Sequence, residues 1–223
     1  MEETRAVIRA RELDEAQQVH RETQKAMAAW KDPTHWRGSP GLGVKRDGQI
    51  YVLTWNLQSA LGPSDTTRST RERWFALLHA LHYLGVSIAC LQETGVGNDI
   101  EDARRHVLAW SRAQSRTSKC QARLWCGAGP PGQAGAGRKA GVAIIAFGVF
   151  ATRGQLDRVW KDGSTVAVQF AMPHSSALTV TCQYAPQGGG NTKAHGSFRE
   201  ATSQAVQELN QQTRTSQLWC GDY

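Results

Sequence analysis

Four polar residues stand where apolar, strand-like runs end: Asn56, Glu93, Tyr184 and Asp222. Glu93 follows the apolar run Val86 to Leu91, which closes abruptly on Gln92-Glu93-Thr94. A carboxylate at the carboxyl end of a buried strand is held rigidly and can still face a crevice. That mounting suits a hard divalent cation such as Mg2+, which takes oxygen ligands and binds through one or two carboxylates. The same position also fits a carboxylate that only marks where a strand leaves the core. Asn56 ends a run that is otherwise apolar or aromatic apart from Thr54. A buried amide must find partners, so Asn56 is either a turn-forming cap or part of a polar site. Tyr184 precedes Ala185-Pro186, and proline cannot continue a central strand. Its phenol therefore sits at a strand end, as a ligand-reaching hydroxyl or as an ordinary core-edge tyrosine. Asp222 comes after an apolar run and Gly221, from which a carboxylate can enter a crevice.

The elements that must position these residues are legible in the surrounding pattern. Residues 1–31 read as one helix with a thin apolar stripe, a solvated extension ended by Lys31-Asp32-Pro33. Glycines and prolines punctuate the stretch to Gly48, so the expected division is 1–48 as helical extension and linker and 49–223 as the main domain. Ile50 to Leu57 is a strand rich in β-branched and aromatic residues. Ser69-Thr70-Arg71-Glu72 has capping-box spacing and opens a helix whose apolar face is Trp74, Leu77, Leu78, Leu81 and Leu84. His79 and His82 on that helix lack a third metal ligand and read as surface or interfacial histidines. The resulting strand–helix–strand unit predicts that Asn56 and Glu93 end side by side.

Further on, a helix starts near Asn98, and Gln121 to Cys126 is a short strand. A glycine-rich loop follows, carrying Arg138 and Lys139, which could touch a nucleic-acid backbone. Gly132 and Gly137 have the spacing of a phosphate loop, but Lys139 replaces its Ser or Thr and a strand, Gly141 to Phe147, follows where that motif needs a helix. Two alternating strands come next: the first places Val166, Val168 and Phe170 on one face, and the second places Leu178, Val180, Cys182 and Tyr184 together. A capping box at Ser197 to Glu200 starts a helix, and the last strand runs from Gln217.

The chain carries a net charge of +7, with 19 Arg against 7 Lys. Guanidinium groups meet phosphate oxygens with a planar fork, so nucleic acid, DNA first, is the expected partner. Arginine excess also follows from genomic base composition alone. No run approaches the ~18 apolar residues of a membrane span, so no membrane is expected. The N-terminal residues lack an apolar signal core. The five cysteines read as reduced thiols, giving an expected intracellular setting, the nucleus included.

In order, Thr54-Trp55-Asn56, Leu91-Gln92-Glu93-Thr94, Gly141-Val142-Ala143-Ile144, Tyr184-Ala185-Pro186 and Gly221-Asp222 resemble the motifs of the endonuclease/exonuclease/phosphatase superfamily. The resemblance spans residues 50 to 223. It implies a mixed α/β fold, the N-terminal portion of a four-layer α/β/β/α sandwich, and a Mg2+- or Mn2+-dependent hydrolase of phosphodiesters. On that resemblance Glu93 ligates the metal and Asn56 positions its shell or the phosphate. Tyr184 hydrogen-bonds a phosphate oxygen, and Asp222 orients or deprotonates the attacking water. The entry through Arg138-Lys139 looks most like the retrotransposon branch, which implies a reverse-transcriptase region in a longer product. The alternatives are a phosphatase or phosphodiesterase of inositol or lipid phosphates, and a degenerate remnant that only binds nucleic acid. The chain departs from the pattern at its end. Tyr223 stands one residue before the Asn of Gly-Asp-x-Asn, and the later Ser-Asp-His has no counterpart. The expectations are therefore a truncated domain, a second sheet largely missing, and little or no activity in these residues alone.

Overall fold

Both faces of the run Ile88 to Gln92 are apolar or satisfied, and this sets the architecture. In the computed structural model the described residues are 49–58, 61, 69–96, 100–118, 120–127, 141–159, 164–172, 177–184, 200, 202–204, 207–208 and 215–222. The N-terminal helix and linker expected over 1–48, and the Arg138-Lys139 loop, lie outside them.

One sheet holds β1 (Val52–Asn56), β2 (Ile88–Gln92), β3 (Ala122–Gly127) and β4 (Val142–Phe147), in the order β1-β2-β4-β3. β1 and β2 run parallel, joined by helix α1 (Thr70–Tyr83). This is the expected strand–helix–strand unit. The Ser69 side chain accepts from the Glu72 backbone while the Glu72 carboxylate accepts from the Ser69 backbone, so the expected capping box forms. Helix α2 (Ile100–Ser118) packs beside α1. Ala89 and Leu91 of β2, with Ala143, Ile145 and Phe147 of β4, face a core shared with Trp74, Leu78, Leu81, Val107 and Trp110.

The opposite face of the same strands meets a second sheet. A short helix α3 (Val149–Arg153) leads directly into β5 (Gly154–Val159), followed by β6 (Thr165–Ala171), β7 (Ala177–Tyr184) and β8 (Thr215–Asp222). The order is β5-β6-β7-β8, antiparallel except for the parallel β7–β8 pair. Ile88, Cys90, Ile144 and Trp125 interdigitate here with Val166, Val168, Phe170, Val180 and Cys182. A strand buried on both faces reads as a near-continuous apolar run, which is why β2 and β4 show no alternation.

Two sheets packed face to face, with helices outside the first, give a mixed α/β sandwich. The expectation of a largely missing second sheet is corrected: among the described residues that sheet has four strands and covers the inner face of the first. Gly154 explains how α3 and β5 escape notice in the sequence. The chain passes from helix to strand there without a loop, so no turn signal separates them. A Cβ at Gly154 would lie 2.6 Å from the Trp125 ring and 2.7 Å from Phe170, so only glycine lets the strand reach the sheet interface at this point.

Candidate active site

The ends of β1 and β2 lie in register, Asn56 beside Gln92. The Leu57 amide donates to the Gln92 carbonyl at 2.9 Å, extending the pairing one residue past β1. Immediately after, the backbone at Glu93 turns into the left-handed region with φ +47°. Glu93 stays buried, with an exposure of only 5%. Asn56 Nδ2 donates to Glu93 Oε1 at 3.1 Å, as the strand–helix–strand reading predicts. The Asn56 carbonyl oxygen is held in turn by the Gln58 amide at 3.0 Å. Gln58 itself has φ +49°. Among the described residues, Gln58 and Glu93 are the non-glycine positions with positive φ; Glu93 is the carboxylate of this pair and Gln58 holds its amide. Such conformations cost on the order of 1–3 kcal/mol each and persist where the surroundings over-determine them.

The loop after Glu93 is fixed to β4. The Thr94 amide donates to the Gly141 carbonyl at 3.1 Å, and the Leu61 amide donates to the Thr94 carbonyl at 3.2 Å. Gly141 has φ +118°, and a Cβ there would stand 2.8 Å from Thr94 Oγ1. Glycine is therefore required at the start of β4 for the chain to close against the residue following Glu93.

Gln92, inside the Leu91 to Thr94 motif, has a structural role that its neighbours in sequence do not show. Its buried amide donates from Nε2 to Thr54 Oγ1 at 3.0 Å, to the Cys90 carbonyl at 3.3 Å and to Cys182 Sγ at 3.4 Å. The Cys182 thiol donates to the Leu91 carbonyl at 3.4 Å. These bonds tie the end of β2 to β7, two residues before Tyr184. The signal in the sequence is an amide inside a run whose neighbours are apolar, the same signal that singles out Asn56.

Tyr184 packs against the inter-sheet core, and its amide donates to the Ser164 carbonyl at 2.9 Å. Asp222 is its partner in the parallel β7–β8 register. β2 packs on both β7 and β8, and β1 on β8, so four strand ends gather at one edge of the sandwich. The structure thus joins Asn56 and Glu93 by a direct bond and sets Tyr184 and Asp222 side by side by register. The side chain of Asp222, like Arg138 and Lys139, lies outside the described residues.

The donor set at this edge suits a hard cation. Glu93 offers carboxylate oxygens at a fixed point, and the Asn56 amide oxygen, which accepts from the Gln58 amide, keeps a second lone pair. Among the described residues, no group of three or more His, Cys, Asp or Glu is close enough to hold a metal. A Mg2+ ion bound by one or two carboxylates and otherwise by water and phosphate is compatible with that arrangement. The two histidines of α1 are not part of it. His79 Nε2 pairs with the Gln114 amide at 3.2 Å and His82 Nδ1 with Cys120 Sγ at 3.4 Å, both at the α1–α2 side of the fold.

No family model matches the chain, and no curated protein matches it. Among solved structures, the human Nocturnin catalytic domain, with bound sulfate, superimposes with a TM-score of 0.47 at 18% identity, over 78% of this chain. The chain spans 64% of that structure's length. No helix among the described residues is long and apolar enough to cross a membrane.

Proposed function

We propose that this edge is the phosphate-handling site of a Mg2+- or Mn2+-dependent phosphodiesterase acting on nucleic acid, of the endonuclease/exonuclease/phosphatase type and its retroelement branch. The observation that carries the reading is the Asn56–Glu93 bond at the paired ends of β1 and β2. It fixes a buried carboxylate at a strained turn, which a carboxylate merely leaving the core does not need. Glu93 would hold the metal, and Asn56 would orient Glu93 through its Nδ2 proton. Tyr184 would donate its phenolic proton to a non-bridging phosphate oxygen, stabilising the charge that grows there. Asp222, one strand over, would accept a proton from the attacking water. The bound ion supplies neutralisation of the phosphate and Lewis-acid polarisation. The net charge of +7 favours a polyanionic substrate.

Metal and DNA binding read this site without requiring turnover. Binding is therefore the first test. Mn2+ titration should show a site that Glu93→Gln weakens at least tenfold, and duplex DNA should bind with affinity that falls steeply with salt. Equal Mn2+ binding by both proteins would sink the assignment. Mg2+-dependent nicking of plasmid DNA, lost in Glu93→Ala, would support the site and overturn the expected inactivity. Turnover of inositol phosphates in place of DNA would move the substrate class.

A further inference from the structure

Positive φ is a conformation that this chain otherwise gives to glycine. Among the described residues it occurs at Gly85, Gly95, Gly141 and Gly148, and outside glycine at Gln58 and Glu93 alone. The reason is steric: a Cβ crowds the following carbonyl there, and glycine has none. Asparagine and aspartate are the usual exceptions, because a short polar side chain can bond locally. Glutamine is not among them. At Glu93 the strained turn carries the carboxylate of the candidate site. At Gln58, with φ +49°, the fold supplies no comparable reason. The residue is exposed, so its side chain gains nothing from packing. Its one hydrogen bond among the described residues is made by the backbone amide, to Asn56 Oδ1 at 3.0 Å.

That bond gives the side chain a fixed origin. The Gln58 amide holds Asn56, Asn56 Nδ2 holds Glu93 Oε1, and the preceding Leu57 amide holds the Gln92 carbonyl. An exposed carboxamide is therefore mounted on a backbone tied through two hydrogen bonds to the buried carboxylate. Its chemistry narrows what it can recognise. A carboxamide presents a donor and an acceptor together. Phosphate oxygens only accept, whereas the edge of a base such as adenine offers an acceptor and a donor side by side, which glutamine meets with both ends.

We propose that Gln58 is a specificity-determining residue of the candidate site, its carboxamide hydrogen-bonding the edge of a base next to the scissile phosphate. Contact with substrate, not the fold, is then what keeps glutamine at a position where glycine would be easier. The inference rests on the phosphodiesterase reading and deepens it: Glu93 holds the ion, Tyr184 and Asp222 serve the phosphate and the water, and Gln58 reads the nucleotide.

The experiment compares the whole 223-residue chain with its Gln58→Gly and Gln58→Ala variants. It reads the thermal midpoint, Mn2+ affinity, and binding to a randomised duplex DNA pool whose bound fraction is sequenced. Gln58→Gly should melt higher than wild type, because glycine takes up φ +49° without strain, and Gln58→Ala should show no such gain. Both variants should bind Mn2+ as wild type does. Both should bind the preferred duplex at least about fivefold more weakly, the loss expected of one base contact. The salt slope should not change, since an uncharged amide releases no counterion. The sequenced pool should lose its preference at one base position. Equal DNA affinity and equal preference in wild type and Gln58→Gly would overturn the proposal. So would loss of Mn2+ binding in either variant, which would make Gln58 a prop for Asn56 and Glu93 and no reader of substrate. If instead Glu93→Gln leaves Mn2+ binding intact while Gln58→Gly flattens the sequence preference, the metal reading fails and the base contact stands.

Discussion

Asn56 Nδ2 donates to Glu93 Oε1 across 3.1 Å, joining residues 37 positions apart in the chain. Gln58 holds the amide oxygen in turn, so both ends of the Asn56 side chain are anchored and its Nδ2 aims Glu93. Asn56→Asp would set a second carboxylate against the first. Like charges at that distance oppose ionisation of both, and a divalent ion relieves the repulsion. The expected outcome is a variant less stable than wild type without metal, and stabilised by Mn2+ by a larger melting-temperature increment than wild type. Thermal unfolding with and without Mn2+ reads both, and equal increments would mean that no cation sits beside this pair.

Gly141 meets Thr94 so closely that a methyl group has nowhere to go. Gly141→Ala would impose a side chain at φ +118° and a 2.8 Å approach to Thr94 Oγ1. Substitution where φ is positive destabilises by more than the ~1 kcal/mol that the entropic gain of alanine can offset. Adding Thr94→Ala removes the steric part and leaves the backbone part. The double variant should therefore recover part of the loss in urea unfolding, with a non-additive term of about 0.5–3 kcal/mol for residues in contact. Strict additivity would show that the approach to Thr94 is not what demands glycine.

How much of this was readable beforehand depends on whether the signal was local. The capping box at Ser69, the alternation of β6 and β7, and the parallel placement of Asn56 beside Glu93 all follow from short-range pattern, and the structure has them. β5 was invisible because α3 runs into it at Gly154 without a turn, and its partner β6 is recognisable only by itself. The closure of the second sheet depends on the β7–β8 pairing, which brings together segments some forty residues apart and has no local marker. Gln92 escaped assignment because a single sequence shows the amide but not the thiol on the opposite sheet that it meets.

Gln92 supplies a prediction that separates packing from chemistry. Its amide is buried and bonds Thr54, the Cys90 carbonyl and Cys182 together across the sheets. Gln92→Ala opens a cavity and removes the donor that the buried Cys90 carbonyl and Cys182 sulfur share, while Gln92→Leu fills the space but keeps the polar loss. Leaving a buried polar partner unsatisfied costs about 1–3 kcal/mol, and the cavity adds to it. Denaturant melts should rank wild type above Gln92→Leu and Gln92→Ala lowest. If leucine matches wild type, the amide contributes shape alone, and the sheets are held by their apolar faces.

Stability below neutral pH is expected to carry the mark of His82. Its ring is partly buried against Trp110 and Phe147, with Nδ1 at Cys120 Sγ, and burial lowers its pKa from the ordinary value of about 6.5. The Cys120 thiol beside it is pushed up by its own burial, so the pair stays neutral at pH 7. Between the folded and unfolded pKa values of His82 the unfolded chain binds more protons, and stability rises with pH wherever that holds. Above about pH 6.5 this residue therefore contributes no pH dependence; as pH falls below that value, stability is lost until the folded-state pKa is passed. Carboxylates titrate lower in the same range, so the wild-type curve alone does not isolate the ring. The difference between wild type and His82→Gln does: urea midpoints measured from pH 8 to pH 5 should keep a constant offset above pH 6.5 and shift in favour of the glutamine chain below it. A constant offset across the whole range would show that protonated His82 is accommodated in the fold.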